Sequence, residues 1–225
     1  MSKRLKITAV IFMVILCCGC MAFVDGVWQP DYWIKSAVKI ILFLSVPLIY
    51  SRFDKELKIK TLFKIDKKGI GFGFLLAVPL FVLILGAYFL FRNIFDFSTI
   101  TGTLTGNAGI TKENFVFVAI YISFVNSLLE EFFFRGFAFL ALTNIMSPKF
   151  AFWFSAVSFA AYHIAIMTGW FSIPLFLLTM AGLVVGGMIF NLLNLKYKNI
   201  YTSWLVHMFA NFAINTIGFI LFGII

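Results

Sequence analysis

The chain runs in long apolar stretches separated by short polar ones, and the stretches have the length of membrane spans. They cover Thr8–Val24, Ile34–Tyr50, Gly69–Phe91, Lys112–Met146, Phe150–Thr168, Ile173–Leu195 and Ile200–Ile225. About 20 apolar residues at roughly 1.5 Å per residue cross a hydrocarbon core of about 30 Å. The fourth stretch is longer, and roughly 33 residues would reach about 50 Å. It is expected to span as far as Glu131–Phe134 and then continue tilted or along the interface, with Pro148 and Lys149 marking the break. The pattern predicts an all-α, polytopic transmembrane bundle of about seven spans, or eight if the last one breaks near Gly218. It reads as a single integral-membrane domain over residues 1–225.

Within the spans, Pro47 is expected to bend or end the second and Pro79 to kink the third. Lys35 and Lys39 stand at the start of the second span, where a lysine can snorkel to the interface. Gly69, Gly71 and Gly73 look like a nucleotide loop at a glance, but no strand precedes them. Small residues four apart read instead as a packing surface between membrane helices, as do Gly182 and Gly186. Arg92–Lys112, rich in Thr, Gly and Asn, shows no helical or strand period. Asp25–Trp33, with two acids, two tryptophans and Pro30, suits an aromatic-belted outer loop.

Composition confirms the membrane class. The 225 residues are 62% hydrophobic and 12% charged, with a mean hydropathy of +1.03, whereas a soluble domain is about a quarter charged. The net charge of +9 does not mark a nucleic-acid-binding protein. Seven of the eighteen basic residues sit with three acids in Arg52–Lys68, and Lys3, Arg4 and Lys6 precede the first span. This is the distribution of topogenic charge facing anionic lipid. Leu57, Ile59, Leu62, Phe63 and Ile65 interleave with that loop, so part of it reads as a surface amphipathic helix. The basic loops alternate with the acidic or neutral ones, which predicts a multi-pass protein of the cell membrane with its amino terminus in the cytoplasm and its C-terminus outside. The first stretch resembles a signal peptide without a clean cleavage site and reads as a retained helix. Cys17, Cys18 and Cys20 crowd into it without distant partners, which fits packing or palmitoylation rather than disulfides.

The candidate chemistry lies in the second half. From Asn114 onward Glu130 and Glu131 are the only acidic residues, and both histidines, His163 and His207, fall in the same half. Ionisable groups inside spans are expensive and face the bundle interior. Residues four apart share a helical face, so Glu131 and Arg135 can pair, while Glu130 falls in line with Ser123, Asn126 and Ser127. This splits the roles: Glu131–Arg135 steadies the helix and Glu130 faces a polar cavity as a general base. In the last span Ser203, His207, Asn211 and Asn215 recur every four residues. Two chemistries suit such a set. Glu130, aided by His163, could take a proton from water while His207 and Asn211 donate to an oxyanion. Alternatively Glu130, His163, His207 and Asn211 could hold one divalent metal such as Zn2+ that activates the water. No His-Glu-x-x-His is present, and Ser203 is one turn from His207 without a local nucleophile signature.

Glu130-Glu131-x-x-x-Arg135, Phe159-x-x-x-His163 and His207-x-x-x-Asn211 resemble, in order, spacing and placement, the three motifs of the CAAX-protease and bacteriocin-processing (CPBP, or Abi) family. The resemblance covers about Asn114 to Asn215, a motif-bearing core of residues 114–215, and leaves the first three spans without a matching motif. It implies an intramembrane endopeptidase with Glu130, His163, His207 and Asn211 catalytic and Glu131 and Arg135 supporting. The family is usually described as metalloproteases, though a metal-free glutamate mechanism is also argued for it. The substrate would be a membrane-associated protein or a secreted peptide, and bacterial relatives are linked to bacteriocin self-immunity or peptide maturation. Two other classes fit a buried Glu–His–Asn set: a small proton-coupled transporter, against which stands the lack of an inverted repeat, and a non-catalytic immunity or scaffold protein.

Overall fold

A computed structural model of the chain describes residues 2–54, 57 and 59–225. Among these, every regular element is a helix. Seven helices are long and apolar enough to cross a membrane: α1 (Lys3–Trp28), α2 (Tyr32–Phe53), α3 (Lys67–Phe91), α5 (Phe115–Thr143), α6 (Pro148–Met167), α7 (Ile173–Tyr197) and α8 (Tyr201–Leu221). The chain is a multi-pass membrane protein. Gly218 lies inside α8, which does not break there. Large side chains such as Phe12, Leu75, Leu83 and Leu90 point outward, as lipid-facing residues do.

An eighth helix, α4 (Ser98–Ala108), lies between α3 and α5 where an irregular loop is expected. Its Thr- and Gly-rich composition has weak helix propensity, which hides it from a periodicity reading. Its ends carry the stop signals instead. Asp96 accepts the Ser98 N–H at 2.8 Å, and Gly109 closes the helix in the left-handed conformation at φ +63°.

The basic loop also differs from expectation. Lys55, Glu56 and Lys58 lie outside the described residues, and the chain beyond them forms a single turn, Ile59–Leu62, rather than a surface helix. Leu62 is buried against Phe132 and Ile200, and its carbonyl accepts the Ile200 N–H at 2.9 Å. Lys6 pairs with Asp54 at 2.9 Å at the same end of the bundle. At the opposite end Thr99 donates to the Trp170 carbonyl, and Lys112 donates to that of Gly223. Loops grouped by their basic residues are thus joined by contacts.

Helix α5 is the axis of the bundle. Residues Leu129 to Phe139 are buried on every side, so the part after Glu131 stays packed inside the protein. Two stretches of it, Ile122–Asn126 and Glu131–Leu140, are wound as π-helix. A π turn frees carbonyls from ordinary i→i+4 bonding, and in a membrane each needs another partner. Side chains of the neighbouring helices supply them. Asn211 donates to Ile122 O at 3.2 Å, Trp204 to Phe124 O at 3.2 Å, and Ser155 to Phe134 O at 2.8 Å.

Helix α2 carries its own π turn, Ile41–Ser45, ahead of Pro47, and continues past that proline to Phe53. Phe43 in this turn stacks on Phe133 of α5 with ring centroids 4.0 Å apart. Helices α3 and α8 meet along small residues. A Cβ at Gly69 or Gly73 would fall 2.5 Å or 3.1 Å from side chains of α8, whereas Gly71 faces open space. The packing role read for these glycines is correct for the two that are four apart. For the other small pair the phase is wrong. Gly182 and Gly186 have no neighbour, and it is Gly187 whose Cβ would sit 3.1 Å from the Ala156 backbone of α6. Cys17 is buried in the α1 core face with Val10, Val14 and Met21.

Candidate active site

Helical phase predicts that Glu131 and Arg135 meet, and they do, with Nη1 3.4 Å from Oε1 and both side chains wholly buried. The guanidinium lies between two aromatic faces, 4.1 Å from the Phe159 ring centre and 4.8 Å from that of Phe190. The same Glu131 Oε1 accepts from His207 Nδ1 at 3.0 Å. Glu131 is therefore shared between an arginine in its own helix and a histidine in α8.

Glu130 looks the other way. Its Oε1 accepts from Asn126 Nδ2 at 3.0 Å, one turn earlier on the same face. It also accepts from the Lys39 ammonium, which comes from α2. Lys39 does not snorkel. It is seven residues into α2, about 10 Å from the helix start, and only 5% exposed. At that depth a carboxylate partner is cheaper than a route to water. The nearby Lys35 behaves similarly and pairs with Asp25 at 3.8 Å. Lys39 is the site residue that sequence reasoning missed. Its signal was present, since a cation deep in a span calls for an acid elsewhere in the bundle.

The second oxygen of Glu130, Oε2, is left facing His207 Nε2 at 3.6 Å. His163 also packs on Phe159, whose ring centre is 4.8 Å from the His163 ring and 5.7 Å from that of His207. Its Nδ1 lies 2.7 Å from the Phe159 carbonyl. A carbonyl only accepts, so Nδ1 carries the proton and Nε2 of the neutral ring keeps a lone pair. His207 is fixed likewise by Glu131 at Nδ1 and stacks on Phe190 with centroids 5.0 Å apart.

The polar stripe of α8 is spread along α5 rather than gathered at one point. Ser203 accepts from Asn194 of α7 and donates to Ile200 O, so its hydroxyl is committed to structure. Asn215 donates to Ala119 O and Ser123 Oγ. Asn211 spends one amide hydrogen on Ile122 O and keeps the other. Ser123 and Ser127, expected beside Glu130, instead bond to Asn215 and Trp204. Glu130 thus faces a lysine and two histidines, not a hydroxyl-lined cavity. A cleft of about 240 Å³ opens at the basic end between Leu62, Leu140, Asn144 and Lys198. It is lined by none of the site residues and belongs to the loops there.

Glu130 Oε2 and His207 Nε2 are spaced much as two ligands of one ion are, about 3.4 Å apart for tetrahedral bonds near 2.1 Å. Among the described residues no cluster of three or more His, Cys, Asp or Glu side chains suits a metal, and Glu130 Oε1 already carries an ammonium. The set as arranged does not fit the ion.

The family model described as type II CAAX prenyl endopeptidase Rce1-like matches residues 112–213. That stretch, a little under half of the chain, is similar to the Rce1-like family. It is the resemblance that the three motifs imply, and the match begins just before α5 and ends within α8, so it takes in α5, α6, α7 and all three motifs. The family is one of peptide-bond hydrolases. No curated protein and no solved structure matches the chain. Lys39 lies outside the matched region, yet its ammonium reaches Glu130, the first glutamate of the Glu-Glu motif within it.

Proposed function

We propose that the protein is an intramembrane endopeptidase that cleaves a peptide bond of a membrane-associated protein or secreted peptide by glutamate-activated water. The observation that carries the reading is the division of the Glu130 carboxylate. Oε1 is bound by Lys39 and Asn126, while Oε2 is turned toward His207. Binding one oxygen orients the group and leaves the other as the base.

Water held between Glu130 Oε2 and His163 Nε2 gives its proton to Oε2, and its oxygen attacks the substrate carbonyl. In the substrate complex His207 gains a second proton from solvent, so that it donates Nδ1–H to Glu131 and points Nε2–H at the developing oxyanion. The second Asn211 amide hydrogen is available to the same oxygen. As the C–N bond breaks, Glu130 returns its proton to the departing amine, leaving a carboxylic acid that ionises to solvent, an amine and a free enzyme. Arg135 keeps Glu131 charged, and Glu131 holds the His207 ring in place and balances its charge in that state. The distribution of basic loops supports a cytoplasmic amino terminus in a cell-membrane protein.

The test is a comparison of peptide termini in membranes expressing the wild type, Glu130→Ala or His163→Ala. New termini should appear only with the wild type. Termini that persist in both variants, with protein levels matched, would sink the hydrolytic reading.

A further inference from the structure

Lys39 needs an explanation that peptide hydrolysis alone does not supply. Its side chain is 7% exposed and that of Glu130 2%, and its ammonium also reaches Asn126 Oδ1 and lies 4.7 Å from the Tyr162 ring centre. Groups from α5 and α6 thus receive one cation from α2. The charges around it balance. Glu130 and Glu131 are matched by Lys39 and Arg135, so the site is neutral with neutral imidazoles, and the nearby Asp25 is matched by Lys35.

Charge is an obstacle to a divalent ion here in addition to the lack of a third ligand already in place among the described residues. Glu130 Oε2 and His207 Nε2 have suitable spacing, and His163 presents an unprotonated Nε2 once its Nδ1 donates to Phe159 O. An ion bound between them would lie only about 4 Å from the ammonium. At an effective dielectric near 20, that repulsion weakens binding by at least about a thousandfold.

We propose that Lys39 is the resident cation of the site: it takes the charge position a divalent metal would hold against Glu130, orients the carboxylate, and keeps metal out. Lys39 is in these terms a positioning residue, contributed by a helix outside the Rce1-like region. The proposal uses the site geometry and not the hydrolytic reading, so the two stand or fall separately.

The test is Co2+ titration of the purified full-length protein in detergent, followed by the visible d–d absorption and by metal content after gel filtration. The wild type and Lys39→Arg should show no stoichiometric Co2+ that depends on Glu130. Lys39→Met should bind at least about a hundredfold more tightly than wild type, and adding Glu130→Gln should abolish the gain. Lys39→Gln serves in its place if the Met variant does not elute as a folded monodisperse species. Glu130-dependent stoichiometric binding by the wild type would overturn the proposal, and so would a folded neutral variant that binds no more Co2+ than wild type.

Discussion

Arg135→Met should be among the most damaging substitutions in the bundle, and its magnitude comes from the structure. Two unit charges 3.4 Å apart attract by about 5 kcal/mol at an effective dielectric of 20. Both groups are fully buried, so the desolvation they suffer is large, and removing one partner of such a pair typically costs about 3–5 kcal/mol. The guanidinium nitrogens have no hydrogen-bond acceptor. The Phe159 and Phe190 faces therefore supply most of the remaining compensation, about 1–2 kcal/mol. We expect Arg135→Met to cost about 4 kcal/mol and Glu131→Gln about 3 kcal/mol, because each leaves a buried charge behind. The double variant leaves none and should cost about 4 kcal/mol, a coupling of about 3 kcal/mol. The assay is unfolding in mixed micelles with rising dodecyl sulfate, followed by fluorescence of the five tryptophans. Lys149→Met, at an exposed position, is the control and should stay within about 0.5 kcal/mol. If the Arg135 and Glu131 effects add to within about 0.5 kcal/mol, the two residues do not act as a coupled pair.

Other substitutions probe the chemistry and the packing. Glu130→Gln keeps the shape of the carboxylate but loses its basicity, so hydrolysis should fall by about 10²–10⁴ while micellar stability changes far less; equal losses in both would point to a structural role. Asn211→Ala removes one oxyanion donor and should lower turnover by about 10²–10³ with little change in apparent substrate affinity, read as kcat against KM. Gly187→Ala drives a methyl to 3.1 Å from Ala156 Cα and should cost about 1–3 kcal/mol in the same unfolding assay. Gly182→Ala and Gly186→Ala meet nothing and should be neutral or slightly stabilising, since alanine is the better helix former by up to about 1 kcal/mol. Should all three glycines respond alike, the α6–α7 contact has been assigned to the wrong face.

What the sequence determined by itself is everything governed by local periodicity and by the cost of polarity in lipid. The apolar stretches specify seven spans because backbone groups in hydrocarbon must be satisfied within a helix. The Glu131–Arg135 contact was legible because residues four apart on one helix share a face and can reach each other. The gathering of Glu130, His163 and His207 was legible because charged groups avoid lipid and have only the bundle interior to occupy. Tertiary structure decided what depends on neighbours from distant helices. Nothing within α2 says that Lys39 turns inward to Glu130 instead of outward, since that choice compares an interface with a carboxylate 91 positions away. Nor does α8 alone say that Asn211 and Asn215 spend amide hydrogens on α5 carbonyls, which becomes necessary only where α5 is wound as π-helix or packs closely. The small-residue phase in α7 went the same way. Gly182, Gly186 and Gly187 are equivalent on paper, and only the position of Ala156 selects Gly187.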